Sequence, residues 1–252
     1  YDLNNMKLAI LTDIHEDYEG LKFALRKIEK KKCDQIICLG DISGFSVPHY
    51  KHFSSRDAHR SLQLIRDYCE IIIVGNHDLN AIKRIPIITD QFHYPENWFR
   101  MNYHDKKAIS KDMVWLYDHD ELSPLYTADD IEFLSKLPEY HILEDKEHQI
   151  LFSHYIFPNL TGSSKKFFDK MKDYDEHFSF MRDKECQFSF CGHAHIPGGQ
   201  IQSKSKKLKR LKSQDSKNEM ICIQCPPLVN TNRFGEFTIF DTESMKLEFL
   251  KI

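Results

Sequence analysis

The feature that restricts this sequence most is a repeated junction, in which an apolar run of strand length stops at a short cluster of aspartate, asparagine or histidine. The plainest case is Glu70-Ile71-Ile72-Ile73-Val74, which halts at Gly75 and is followed by Asn76-His77-Asp78. Such a run delivers polar side chains to the end of a strand. Asn76 offers an amide oxygen to a cation, His77 can donate a proton, and Asp78 is placed to hold the imidazole in one tautomer. Four further junctions match it. Residues 6–12 run into Asp13-Ile14-His15, residues 35–39 into Gly40-Asp41, residues 149–153 into His154, and residues 187–191 into Gly192-His193-Ala194-His195.

Between the first runs lie helical patterns. Leu21, Ala24, Leu25 and Ile28 recur at helical spacing, with lysines at 30 to 32 suited to a helix C-terminus, and Leu62, Leu64, Ile65 and Tyr68 mark a second helix. Strands this uniformly apolar are buried on both faces, as in a parallel sheet. Strand, helix, strand, helix, strand with ligands at the tips reads as an open α/β sheet whose ligands gather at its carboxyl edge.

Residues 79–128 are less regular. Trp98, Phe99, Tyr103, Trp115 and Tyr117 make the segment aromatic, and we expect one or two helices packed beside or over the ligands, chiefly as core. Thr127 and Asp130 predict a capping box opening a helix that Pro138 ends. Residues 139–143 and 149–153 are expected to pair across the turn 144–148. Helical pieces are predicted at 165–171 and 175–181, and strands at 220–224, 235–240 and 246–250. The order suggests two half-sheets delivering ligands to one seam.

A chain of 252 residues can bury one substantial core, so we expect residues 1–252 to form one domain. With 41% hydrophobic and 29% charged residues and a formal charge of −3, no global field draws it to nucleic acid or to an anionic membrane. No apolar run approaches the roughly 18 to 20 residues of a membrane span, and we expect no signal peptide. Seven cysteines without a regular framework fit reduced thiols in the cytoplasm. Cys222 and Cys225 form a C-x-x-C inside an expected strand, where packing is the simpler role.

Asp13, His15, Asp41, Asn76, His154, His193 and His195 combine carboxylate, imidazole and amide ligands suited to manganese, iron or zinc. Seven ligands exceed what one ion usually takes from a protein. Two divalent ions sharing a carboxylate, about 3.5 to 4 Å apart, account for the number, and Asp41, alone on its loop, is the natural bridge.

D-x-H, G-D-x-x-G, G-N-H-D, a lone later histidine and G-H-x-H, in that order, resemble the calcineurin-like metallophosphoesterases over nearly the whole chain. G-D-I-S-G-F-S-x-P resembles a bacterial subgroup that reads G-D-I-V-G-Y-G-P-x-P. The resemblance implies a four-layer α/β/β/α sandwich of two mixed sheets. It gives Asp13, His15, Asp41 and His195 to one metal, Asp41, Asn76, His154 and His193 to the other, and makes His77 the non-ligand histidine that protonates the leaving oxygen. Asp78 would orient His77. The sequence departs from the superfamily's protein phosphatases at Gly44, Phe45 and Asp78. S-H-Y at His154 and Cys225-Pro226-Pro227 are further departures, expected to alter the pocket wall rather than the ligands.

The implied function is hydrolysis of a phosphate ester, as a phosphodiesterase on a small nucleotide-like substrate. The alternatives are a phosphomonoesterase, a nuclease, and a binding scaffold that has lost the chemistry. The intact ligand set and His77 argue against the scaffold, and the acidic net charge against the nuclease. His49, His52, His59, His93, His104, His119, His141, His148 and His177 stand outside these motifs and are read as ordinary hydrogen-bonded residues. The basic run Lys204, Lys206, Lys207, Lys209, Arg210 and Lys212 is read as a solvated hairpin or loop, with steering of a polyanion as the alternative.

Overall fold

A computed structural model describes residues 6–144, 149–168, 170–211, 219–229 and 235–252. In chain order it contains β1 (Lys7–Leu11), α1 (Tyr18–Lys31), β2 (Gln35–Cys38), β3 (Phe45–Ser46), α2 (Ala58–Tyr68), β4 (Ile71–Ile72), α3 (Asn76–Ala81), α4 (Tyr103–Ser110), β5 (Glu121–Leu122) and α5 (Ala128–Lys136). There follow β6 (Tyr140–Glu144), β7 (Gln149–Ser153), α6 (Asp175–Asp183), β8 (Cys186–Cys191), β9 (Gln200–Ser203), β10 (Lys207–Leu208), β11 (Ile221–Gln224), β12 (Glu236–Asp241) and β13 (Lys246–Lys251).

The strands form two mixed sheets and a small ribbon. One sheet runs β13-β12-β1-β2-β4, the other β10-β9-β11-β8-β7-β6, and β3 pairs with β5. Strands β1, β2 and β4 are parallel, and so are β7, β8 and β11. Alternation along each strand sorts the core into layers. Leu8 and Ile10 meet Phe152, Phe188, Phe190 and Ile223 between the sheets. Ala9 and Leu11 face the other way, against Leu21, Leu25, Ile28, Leu62 and Ile65 of α1 and α2. On the far side, Leu151 and Cys222 pack with Phe178 and Met181 of α6. This is the four-layer α/β/β/α arrangement, and burial on both faces explains why the strands read as nearly unbroken apolar runs.

Local signals set the helices. The Asp17 carboxylate accepts from Gly20 N–H at 3.1 Å and starts α1. Thr127 and Asp130 form the expected capping box on α5. No helix among the described residues is long and apolar enough to cross a membrane.

Two expectations need correction. The run at 70–74 follows β2 only as far as Ile73: Glu70 and Ile73 N–H bond the Ile36 and Cys38 carbonyls at 3.0 and 3.1 Å, whereas Val74 N–H turns to the Pro138 carbonyl, 3.0 Å away. Residues 165–168 are not helical: Ser164 is bracketed by the Asn159 side chain, Lys165 N–H bonds Met113, and Phe168 N–H bonds the Tyr155 hydroxyl. A 3₁₀ turn, Met171–Tyr174, leads instead into α6. The β3–β5 pair carries too little apolar pattern to be foreseen. The basic run falls on the β9–β10 hairpin, with Lys212 outside the described residues. Ser203 of that hairpin pairs with Ile221 at the amino end of β11, opposite the edge that bears Gly192 to His195. Residues 145–148, including His148, also lie outside the described residues.

Candidate metal centre

Because β1, β2 and β4 are parallel, their carboxyl ends share one edge, and those of β7 and β8 meet it from the second sheet. The loops are laced together by backbone. Ile14 and His15 N–H both bond the Asp41 carbonyl, at 2.8 and 3.0 Å, and Gly192 N–H bonds the His154 carbonyl at 2.8 Å. Asp13, His15, Asp41, His193 and His195 all have φ between 48° and 64°. Non-glycine residues held left-handed cost about 1 to 2 kcal/mol each, a concentration of strain typical of functional sites.

All seven predicted ligands converge. Asp13, His15 and His195 offer atoms within 4.8 Å of one another, as do Asp41, His154 and His193. Asp41 also groups with His15 and His77, so its carboxylate stands between the two sets. Nδ1 of His15 lies 2.9 Å from the Gly44 carbonyl and Nδ1 of His154 lies 2.8 Å from that of Leu39. A ring nitrogen can only donate to a carbonyl, so each Nδ1 is engaged there and each Nε2 is the nitrogen left facing the seam. His15 Nε2 and His195 Nε2 stand 3.2 Å apart.

The acceptors are oriented in the same way. Asp13 Oδ2 accepts from Thr12 Oγ1 and from His193 N–H, and Asp41 Oδ1 accepts from His77 N–H, each at 2.9 to 3.0 Å. Asp13 Oδ1, Asn76 Oδ1 and His193 Nε2 are buried and make no hydrogen bond. Orphaned buried acceptors are costly unless something positive sits among them, so the donor set fits a cation.

The electrostatics agree. Burial pushes the Asp13 and Asp41 carboxyls up, but His195, His154 and His15 around the first, and His154, His77 and His15 around the second, hold both well below the ordinary range. Burial lowers His15, and burial with His154 alongside takes His193 to about 3. Burial also opposes a charge on His154, yet Asp41 and Asp13 raise it to about 9, so a cation entering there displaces a proton.

The role foreseen for Asp78 is not what the side chain does. Its carboxylate accepts from Ser43 N–H, Ser43 Oγ and Gly75 N–H at 2.8 to 3.1 Å, capping α3 beneath the site. Burial and Asp41 raise it to about 6. The His77 Nδ1 instead touches the carboxylate of Glu121. Burial works against a charge on His77, but Glu121, followed by Asp41, raises it to about 10. Gly44, φ 96°, packs against this ring so closely that a β-carbon would overlap it, which accounts for glycine there. Tyr117 accepts from Asn76 Nδ2 at 2.7 Å and lies against the His77 ring, centroids 4.8 Å apart. The sequence suggests only a core role for Tyr117 and none for Glu121. Only the aromatic density of the segment hinted at the former.

Residues 6–197 match the family described as calcineurin-like phosphoesterase. The chain belongs to that family. This calcineurin-like phosphoesterase is therefore a metal-dependent hydrolase of phosphate esters. An uncharacterized protein of Methanocaldococcus jannaschii is 24% identical to it, over 97% of this chain and 86% of the relative. A metallophosphoesterase from Sphaerobacter thermophilus shares the fold with a TM-score of 0.64 at 16% identity, covering 99% of this chain and 88% of the other. A hypothetical protein from Pyrococcus horikoshii does so at 0.59 and 14%, covering 98% and 87%.

Above the candidate ligands of the phosphoesterase opens a cavity of about 690 Å³, within the range of small-ligand sites. Asp41, Asn76, His77, His193 and His195 line it, with Tyr50, Lys51, Trp115, Tyr117, Asp120, Glu121 and Phe167 among its walls. The departures expected in this wall lie elsewhere. Cys225 is in the core between the sheets, and Tyr155 is buried against the His193 ring, centroids 4.6 Å apart. Cys222 faces α6 on the opposite side of its sheet from Cys225, so the C-x-x-C does not converge. His177 is a core residue, accepting from Phe157 N–H and bonding Ser189 Oγ.

Proposed function

We propose that the chain, read as one domain over residues 1–252, is a binuclear phosphodiesterase for a small, nucleotide-like ester. Asp13, His15, Asp41 and His195 would hold one divalent ion and Asp41, Asn76, His154 and His193 the other, manganese being the ion best suited to this oxygen and imidazole mixture. The observation that carries the reading is the set of buried candidate-ligand atoms left without a hydrogen bond at and beneath one cavity, with Asp41 placed between the two groups. The one-domain reading is supported by β12, which lies beyond the matched residues 6–197 and pairs along β1.

Two such ions would supply charge stabilisation for the phosphoryl group and acidify a water for in-line attack. The protein's own part begins with Asp13 and Asp41, which stay ionised, and with His15 and His154, whose Nδ1 protons are tied to carbonyls. His77 stands with Nε2 3.9 Å from Asp41 Oδ2 and turned toward the cavity. From there it can donate that proton to the departing oxygen as the P–O bond breaks. Preference for a diester is supported by the charge of the wall, where Lys51 stands against Asp120 and Glu121. A monoester dianion would face this wall with twice the charge of a diester. Trp115 and Phe167 offer apolar surface to the ester's organic part.

The test is turnover by manganese-loaded protein of bis-p-nitrophenyl phosphate, p-nitrophenyl phosphate and cyclic nucleotides. We expect kcat/KM for diesters to exceed that for the monoester at least tenfold. A preference for the monoester would overturn the diesterase reading.

A further inference from the structure

We propose that Glu121 is the positioning residue for the proton-donating histidine, accepting the Nδ1 proton of His77 so that Nε2 remains the working nitrogen. This deepens the reading of His77 given above and rests on it.

The contact is direct and enclosed. Glu121 is 10% exposed and His77 18%, and among the described ion pairs Glu121 takes part in this one alone. The glutamate does not sit on a free loop. It belongs to β5, whose Glu121 and Leu122 pair with Ser46 and Phe45, and the Val47 N–H bonds the neighbouring Asp120 carbonyl at 3.0 Å. The partner strand β3 follows Asp41 by only a few residues. The carboxylate that aims His77 is therefore anchored to the same loop that presents the shared ligand.

The other candidates for the task are occupied. Asp78 is committed to Ser43 and Gly75. Asp41 faces the opposite nitrogen of the ring. The ring is boxed in edge-on to His15, centroids 4.8 Å apart at 87°, and tilted on Tyr117. That box fixes the plane of the imidazole but not which nitrogen holds the proton. Only the acceptor at Nδ1 does so. Tyr117, four residues earlier, orients Asn76 through its amide. One short segment thus governs two consecutive side chains, a candidate ligand and the proton donor. In the step itself, a water oxygen bonds to phosphorus as the bond to the leaving oxygen breaks, the doubly protonated ring passes its Nε2 proton to that oxygen, and the Nδ1 proton stays on the ring, held by the Glu121 carboxylate throughout.

The experiment uses the full chain with E121A and E121Q, the glutamine retaining an acceptor oxygen. Long-range ¹H–¹⁵N spectra of zinc-loaded, histidine-labelled protein report the tautomer, with His77 assigned by its absence in H77A. We expect Nδ1 of His77 to be protonated in wild type and in E121Q, and to lose that proton or exchange it between nitrogens in E121A. In parallel, manganese-loaded E121A should lose about 10²-fold in kcat on diphenyl phosphate, whose leaving oxygen is strongly basic, and under tenfold on bis-p-nitrophenyl phosphate. KM should move less than about threefold, two metals should stay bound, and E121Q should recover part of the loss. An unchanged tautomer in E121A, equal losses on both esters, or a loss matched by lost metal would each overturn the role. If wild type cleaves no phosphate ester while the tautomer still changes in E121A, the positioning contact stands and the substrate reading fails.

Discussion

Gly162→Ala should remove one metal and spare the other. Gly162 has φ 75°, and a β-carbon built there would lie 2.7 Å from His193 Cε1 and 2.8 Å from Asn76 Oδ1, closer still to His193 Nδ1. Ordinary heavy-atom contacts are about 3.5 Å, so the ring and the amide must each retreat by roughly 0.7 Å or more. Metal sites hold ligand distances to within about 0.2 Å, so a shift of that size amounts to losing the ligand. Both displaced groups belong to the Asp41, Asn76, His154 and His193 set. The three atoms nearest this β-carbon belong to His193 and Asn76, not to Asp13, His15 or His195. We expect affinity at the second position to fall at least 10²-fold, beyond the 10- to 100-fold typical of losing a partner that merely orients a ligand. The left-handed backbone adds about 1 to 2 kcal/mol of destabilisation, roughly 2 to 8 °C in Tm for a chain of this size. Elemental analysis after gel filtration should give one manganese per chain against two in wild type. Two ions bound at wild-type affinity would refute the assignment of Asn76 and His193 to a common ion.

His77→Ala should leave two metals bound while kcat falls by about 10² or more, checked by elemental analysis beside turnover. Unchanged turnover would remove the donor role. Tyr117→Phe strips the acceptor from Asn76 Nδ2, a buried loss of about 1 to 3 kcal/mol, and should weaken the second metal about tenfold in a chelator competition. Away from the site, burial pushes Asp130 up but Thr127 and His59 hold it below its ordinary 3.8. A depressed folded pKa means its stabilisation is complete above about pH 4 and is lost as pH falls through the folded value. Asp130→Asn should therefore cost about 1 kcal/mol at pH 7 in urea unfolding, the difference from wild type closing in acid.

Each candidate ligand is legible because it follows an apolar run closely, so the strand fixes its place and the parallel order fixes its edge. The register that brings Asp41 between His15 and His154 was not legible, since it depends on how two sheets face each other. Glu121 gave no signal: β5 is two residues long and its pairing with β3 spans more than seventy positions. Asp78 misled because adjacency in sequence to His77 suggested contact, whereas successive helical residues point about 100° apart and the carboxylate turns back to cap its own helix. The predicted helix at 165–171 failed for a similar reason, as bonds to Met113, Tyr155 and Asn159 outweighed local spacing.

The most direct measurement is an anomalous difference map from a crystal soaked in manganese. Two peaks about 3.5 to 4 Å apart, one on each side of the Asp41 carboxylate, are the expected result. A single peak, or peaks away from Asp41, would contradict a shared two-metal centre.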